Sequence, residues 1–431
     1  MDSVWTNIID KPAFESLSGE KKTHTLVIGG GIAGILCAHM LQESGVDCMV
    51  VEAKRICSGI TENTTAKITV QHGLVYSKIL KNYGTEAASM YLRANQEALN
   101  TYDTLAKQFP CDFETQDSFV YSLNDAGKIE EEAEALLKIG CSAKVLRDLP
   151  LPFPVASAVC LPNQAQYHPL KLMYALAKNL KIYENTKVTE WTHDGVMTNK
   201  GKIYADNVIV TTHFPLWNKH GAYFLKLYQH RSYVLALRDA PVIKGMYVDE
   251  SQKGMSFRSY EDLLLVGGGG HRTGKAGGGW GELRSFARSY YPASTEVSHW
   301  ATQDCMSLDG IPYIGNYSKN TPNVYVVTGF NKWGMTSSIV AAKVLRDLIT
   351  TGENPFEDLY CPSRSILHPQ AFLNIGESLI GLLTPTAPRC PHMGCALKYN
   401  KQEHSWDCAC HGSRFDKDGR LLNNPATDDK Q

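Results

Sequence analysis

The residues with the clearest chemistry lie near the C-terminal end: Cys390-Pro-His392 and, after fifteen further residues, Cys408-Ala-Cys410-His411. Two thiolates and two imidazoles spaced as C-x-H and C-x-x-H suit a [2Fe-2S] cluster in which two histidines replace two thiolates on one iron. The same donors also suit a tetrahedral zinc ion. Each pair is followed or interrupted by an additional cysteine, Cys395 and Cys410, which a zinc site does not require. A redox centre is therefore the leading reading, and the rest of the chain must explain what exchanges electrons with it.

The two segments Cys390-Pro-His392-Met-Gly-Cys395 and Cys408-Ala-Cys410-His411-Gly-Ser413-Arg-Phe415 resemble the Rieske iron-sulfur family. The resemblance implies metal ligands at Cys390, His392, Cys408 and His411. From the cytochrome-complex branch of that family it also implies a disulfide between Cys395 and Cys410, worth on the order of 3 kcal/mol. Ser413 is implied as a hydrogen-bond donor to a cluster sulfur. High-potential members carry a tyrosine two residues later where this chain has Phe415, which predicts a lower potential.

A second chemical element lies at the other end. Thr25 to Ile28 reads as a short buried strand that runs into Gly29-Gly-Gly31-Ile32-Ala33-Gly34 and then the helical pattern Ile35 to Ser44. A second strand, Cys48 to Val51, ends at Glu52-Ala53, where a dinucleotide fold places the acid that accepts from a ribose hydroxyl. Glycines there let the backbone approach a pyrophosphate seated on the helix N-terminus. The nucleotide so bound is FAD or NAD.

Downstream, the loop Cys57-Ser-Gly59-Ile-Thr-Glu-Asn63-Thr64-Thr65-Ala-Lys67 resembles the flavin-passing segment of the D-amino-acid oxidase superfamily. Ala205 to Thr212, Asp309 to Gly315, and Gly329-Phe-Asn-Lys332-Trp333-Gly334-Met335-Thr336 are similar, in order, to the later nucleotide-side pieces of the same superfamily. The resemblance favours FAD. Beyond the first glycine motif it implies cofactor contacts from Gly59, Thr64, Thr65, Lys67, Val188, Thr211, Gly315, Gly329, Trp333, Gly334, Met335 and Thr336. Asn63 stands where some relatives attach the flavin through histidine, so non-covalent FAD is expected.

The fold class that follows is an α/β Rossmann-like FAD-binding domain (1–80, 166–225 and 300–355), an α+β antiparallel-sheet substrate domain roofing the flavin (81–165 and 226–299), and a small all-β Rieske domain (356–431). Residues 85–108 and 126–138 read as helices, Arg231 to Leu237 and Leu263 to Val266 as strands. Gly269-Gly-His-Arg-Thr-Gly274-Lys275 mimics a phosphate loop, but Ala276 stands where a Mg²⁺-binding hydroxyl is needed, so a turn after the strand is expected. No alternating strands are evident between Thr351 and Cys390, so the Rieske part should be abbreviated and lean on the flavoprotein.

Superfamily members oxidise amines and amino acids by hydride transfer to flavin. The resemblance thus implies an amine or amino-acid substrate and a one-electron acceptor or donor. Catalytic candidates are Arg258 and Arg272 for a substrate carboxylate, and Lys67 and His72 beyond the flavin loop. Two other functions compete: an electron-transfer or redox-sensing protein without its own substrate, and an NAD(P)H-dependent reductase feeding an oxygenase. The latter wants a second dinucleotide motif, and none is found.

A formal charge of −1 over 431 residues offers no electrostatic case for nucleic acid or an anionic membrane. The start has neither a basic nor an apolar region, no stretch suits a membrane span, and twelve cysteines lie mostly without recurrent spacing. A cytoplasmic location with mostly reduced thiols is expected.

Overall fold

The computed structural model describes residues 2–6, 10–385 and 387–430. Its first layer is an eight-stranded sheet whose centre is parallel. β1 (Lys21–Ile28) lies between β2 (Cys48–Val51) and the strand Gly201–Val210. The register sets Ile28, Val51 and Val210 abreast, so the next residues, Gly29, Glu52 and Thr211, emerge along one edge. These strands are near-continuous apolar runs because both faces are covered, as parallel sheets require. Helix α1 (Ile32–Glu43) is itself apolar almost all round, with Ile35, Leu36, Cys37 and Leu41 fully buried, and it packs against the helix Gly334–Thr350.

The second layer is a nine-stranded mixed sheet in which Tyr228–Arg238 is flanked by the antiparallel strands Thr295–Met306 and Leu263–Arg272. Helix α2 (Tyr76–Gln108) and helix α3 (Ala126–Lys138) fall where helices were expected, α2 bending at Gly84 with φ +85°. Its glycines overturn one expectation. The strand Leu263–Arg272 does not turn after Val266 but runs on through Gly267 to Gly270. A Cβ at Gly267 would meet Ser256 Oγ at 2.6 Å, and one at Gly270 would meet His230 Cε1 at 2.8 Å. The glycines admit close neighbours within a strand; the turn comes only at Thr273–Lys275.

The C-terminal part is a four-stranded antiparallel meander, Leu397–Asn400, Ser405–Cys408, Arg414–Asp416 and Leu421–Asn423. Its core is small, formed around Leu397, Phe415, Ala426 and the four clustered cysteines. In place of preceding strands stands a helix, Pro369–Leu383. No helix among the described residues is long and apolar enough to cross a membrane.

Candidate cofactor sites and the cavity between them

Two loops present the C-terminal donors, and they close alike. Gly394 N–H donates to Cys390 O, and Gly412 N–H to Cys408 O, each at 2.9 Å. Both glycines have positive φ, +75° and +89°, a conformation that disfavours a side chain. The loops bring His392 and His411 together with ring centroids 4.9 Å apart and planes at 90°. Nδ1 of His392 and both ring nitrogens of His411 are buried without a hydrogen-bond partner. Buried imidazole nitrogens without partners are costly unless something else engages them, so this donor set fits a metal cluster. Cys390 N–H donates to Cys395 O and Cys408 N–H to Ser413 O, each at 2.9 Å. The Ser413 hydroxyl also accepts from Ala426 N–H at 3.0 Å, which ties the covering loop to the same loops.

The disulfide expected between Cys395 and Cys410 is not present. Both are free thiols, and their sulfurs and that of Cys408 lie within 4.8 Å of one another. The Cys410 thiol donates instead to Glu377 O at 3.7 Å, which a disulfide sulfur could not do.

The sheet above holds these loops in place. Arg272 donates to Ala409 O and Cys410 O at 3.1 Å each and to Asn374 Oδ1 at 2.9 Å. Gln229 donates to His411 O and Asn424 O, and Gln303 to Gly412 O. Arg231 forms a bidentate pair with Glu403, which also pairs with Arg414, and the Glu403 carboxyl lies below its ordinary value despite burial because both guanidiniums face it. His392 Nε2 sits 2.9 Å from Asn218 Oδ1. The small domain therefore borrows polar partners from the large one.

At the other end, a cavity of about 1120 Å³ begins at Gly29, Gly31 and Glu52, above the roughly 300–1,000 Å³ of ordinary ligand pockets. Gly29 has φ +111°, and a Cβ on Gly34 would fall 1.9 Å from Gly29 O, so only glycine permits this turn. Glu52 is fixed by Gly30 N–H and Lys54 N–H at 2.8 Å each. Helix α1 has no side-chain cap at Gly31; Ile32 N–H alone is met, by Thr61 Oγ1 at 3.0 Å. Those features fit a dinucleotide phosphate at the helix start. Ile32, Ala33, Ala53, Gly59, Thr64 and Thr65 also border the cavity. So do Val188, Thr211, Gly329, Trp333, Gly334 and Met335, whereas Gly315 and Thr336 lie outside its wall.

The four catalytic candidates separate clearly. Lys67 borders the cavity 3.1 Å from Thr65 Oγ1, and burial, with Arg258 nearby, draws its ammonium down to about 7. His72 reaches the wall but both nitrogens are engaged: Nε2 lies 2.9 Å from Thr69 O and must donate there, leaving Nδ1 to accept from Tyr91 OH at 2.7 Å. Burial brings it down to about 3, so it is neutral, and it stacks on Trp333. Arg258 is not in the wall; it donates to Thr65 O at 2.8 Å and Ala66 O at 2.9 Å, holding the loop that carries Lys67. Arg272 is committed to the cluster loop and likewise lies outside the wall.

Asp304 is an important neighbour that sequence reasoning missed. It borders the cavity, where burial raises its carboxyl while Lys332 and Arg231 oppose the rise. Lys332 borders the same space at φ +75°, its ammonium lowered by desolvation. No motif marks Asp304, because it is placed by strand pairing with His230.

A glycine-turn nucleotide cavity bordered by the mixed sheet and by Asn424 and Ala426 of the C-terminal part, together with a two-cysteine, two-histidine centre in that part, defines a flavin- and iron-sulfur-dependent oxidoreductase. The sequence model of the FAD dependent oxidoreductase family matches residues 24–348, and that of the Rieske [2Fe-2S] domain matches 381–430. The chain belongs to the FAD dependent oxidoreductase family and carries a Rieske domain at its C-terminal end. It is 33% identical to the "Putative Rieske 2Fe-2S iron-sulfur protein YhfW" of Bacillus subtilis (strain 168), over 99% of this chain and 96% of that one. That alignment spans 490 positions, so the relative has residues for which this chain has no counterpart. The fold is similar to glycine oxidase from Geobacillus kaustophilus (TM-score 0.68, 18% identity, 80% of this chain and 99% of that one). It is also similar to L-proline dehydrogenase from P. horikoshii (TM-score 0.66, 19% identity, 80% and 98%).

Proposed function

We propose that the protein oxidises a C–N bond of an amine or amino acid and delivers the electrons singly, through its Rieske centre, to an external acceptor. The observation that carries this reading is that one cavity is lined both by Gly31 and Glu52 and by Asn424 and Ala426, from the loop tied to Ser413. FAD, held non-covalently by the Gly29–Gly34 turn and Glu52, would accept the hydride, and the cluster on Cys390, His392, Cys408 and His411 would pass one electron at a time. Residues 1–80, 166–225 and 300–355 form the flavin part in this reading, 81–165 and 226–299 the roof, and 356–431 the cluster part.

The chain's own residues supply the pocket's charges. Lys332 and Asp304 border the same space, which suits a zwitterion whose carboxylate faces the lysine and whose amine faces the aspartate. Lys67, held near neutrality by burial, can take a proton from an ammonium substrate at its Nζ. Names of the structural relatives, a glycine oxidase and a proline dehydrogenase, support the C–N substrate class.

The test is anaerobic mixing of the purified protein with a panel of amines and of D- and L-amino acids, following flavin absorbance and then electron paramagnetic resonance. Flavin bleaching by one class, followed by a rhombic cluster signal, is the expected result. Zinc in place of iron, or a flavin that no amine bleaches, would overturn the proposal.

A further inference from the structure

The helix Pro369–Leu383 is built inside out. Its polar residues face the protein: Asn374 is buried and bonds Arg272 and Leu225 O, Glu377 pairs with Lys275 at 2.6 Å, and Gly381 lies against Cys410. The opposite half carries Phe372, Leu373, Leu379, Ile380 and Leu383, with Phe372 66%, Ile380 59% and Leu383 79% exposed. Leu367 before the helix and Met393 in the first cluster loop extend the same kind of surface. A contiguous apolar face of this size on a soluble domain marks a binding surface.

Its charge surroundings point to the occupant. From Cys361 to Lys401 the only acid is Glu377, already neutralised by Lys275, whereas Arg389, Lys398 and Lys401 are basic and exposed. Arg389 sits at the helix C-terminus, donating to Gly381 O, Leu382 O and Thr384 O, and Lys219 is exposed near His392. A basic fringe around an apolar half-cylinder matches an anionic bilayer surface. At fifteen residues the helix is about 22 Å long, too short to span roughly 30 Å of hydrocarbon, so it lies in the interface plane. We propose that this helix seats the protein peripherally on an anionic phospholipid surface, with the Cys390–Cys395 loop turned toward the lipid. The whole-chain charge of −1 concealed this surface because it averages over the chain what is concentrated in one segment.

The experiment is flotation of the full-length holoprotein with vesicles of phosphatidylglycerol and phosphatidylethanolamine, or of phosphatidylcholine alone, alongside analytical ultracentrifugation. Wild-type protein should float with the anionic vesicles, and F372E/L379E should bind about a hundredfold more weakly while keeping its flavin absorbance and melting temperature. The single variant K398E, outside the helix, should weaken binding to anionic vesicles alone. Failure of the wild type to float overturns the proposal, as does a dimer that F372E/L379E converts to monomer, which would assign the face to a second copy.

Discussion

Gly34 sits where the backbone of Gly29 passes closest, and a methyl group there would lie 1.9 Å from the Gly29 carbonyl. Gly34→Ala must therefore open the turn that α1 and Glu52 depend on, and the variant should retain flavin at least about tenfold more weakly, read from the ratio of flavin to protein absorbance. Ser413 is the comparable residue at the other centre. A hydrogen bond to a cluster sulfur favours the reduced, more negatively charged form, and one such bond of about 1.5 kcal/mol corresponds to roughly 60 mV for one electron. Ser413→Ala should lower the midpoint potential by about that amount in a redox titration followed by electron paramagnetic resonance. Both residues could be read from sequence because they sit inside short motifs whose backbone dictates residue type. Asp304 could not, since nothing local requires an acid there, and the partners of Arg258 and Arg272 are decided by tertiary structure, which no local motif encodes.

The strand Leu263–Arg272 links the two halves as an element: it spans the roof sheet and ends with Arg272 holding the second cluster loop. Arg272→Ala leaves Ala409 O and Cys410 O without their donor, at a cost of roughly 1–3 kcal/mol for each buried group left unpaired. The variant should lose iron during purification yet keep its flavin, measured as iron and flavin per chain. Period and length made β1, α1, β2, α2 and α3 legible in the sequence. The glycine run defeated that approach because a glycine-rich strand has no side-chain alternation to read, and the same run resembled a phosphate loop. The helix before Cys390 was missed for a different reason. Its amphipathic pattern is present, but the pattern alone does not tell which half faces the protein.

Across the whole molecule, acid should act in two separable windows. His72 is buried and neutral, brought from about 6.5 to about 3 by desolvation, so the unfolded chain binds a proton that the folded chain refuses between those values. Stability therefore falls as pH drops below 6.5, by up to about 1.4 kcal/mol per pH unit for this one group. Glu403 has the opposite origin: Arg231 and Arg414 depress its carboxyl, so its contribution is complete above the ordinary glutamate value of about 4.3 and is lost as pH falls below it. Chemical denaturation from pH 7 down to 3 resolves them. Between pH 6.0 and 4.5 the wild type should lose about 2 kcal/mol more than His72→Gln, whatever the absolute stability of the variant, because the comparison is of slopes. Glu403→Gln should keep the wild-type slope in that window and lose the steeper fall below pH 4.3. Since Glu403 belongs to the cluster domain and Arg231 to the roof, that lower window reports separation of the two, and iron release should track it while flavin release does not.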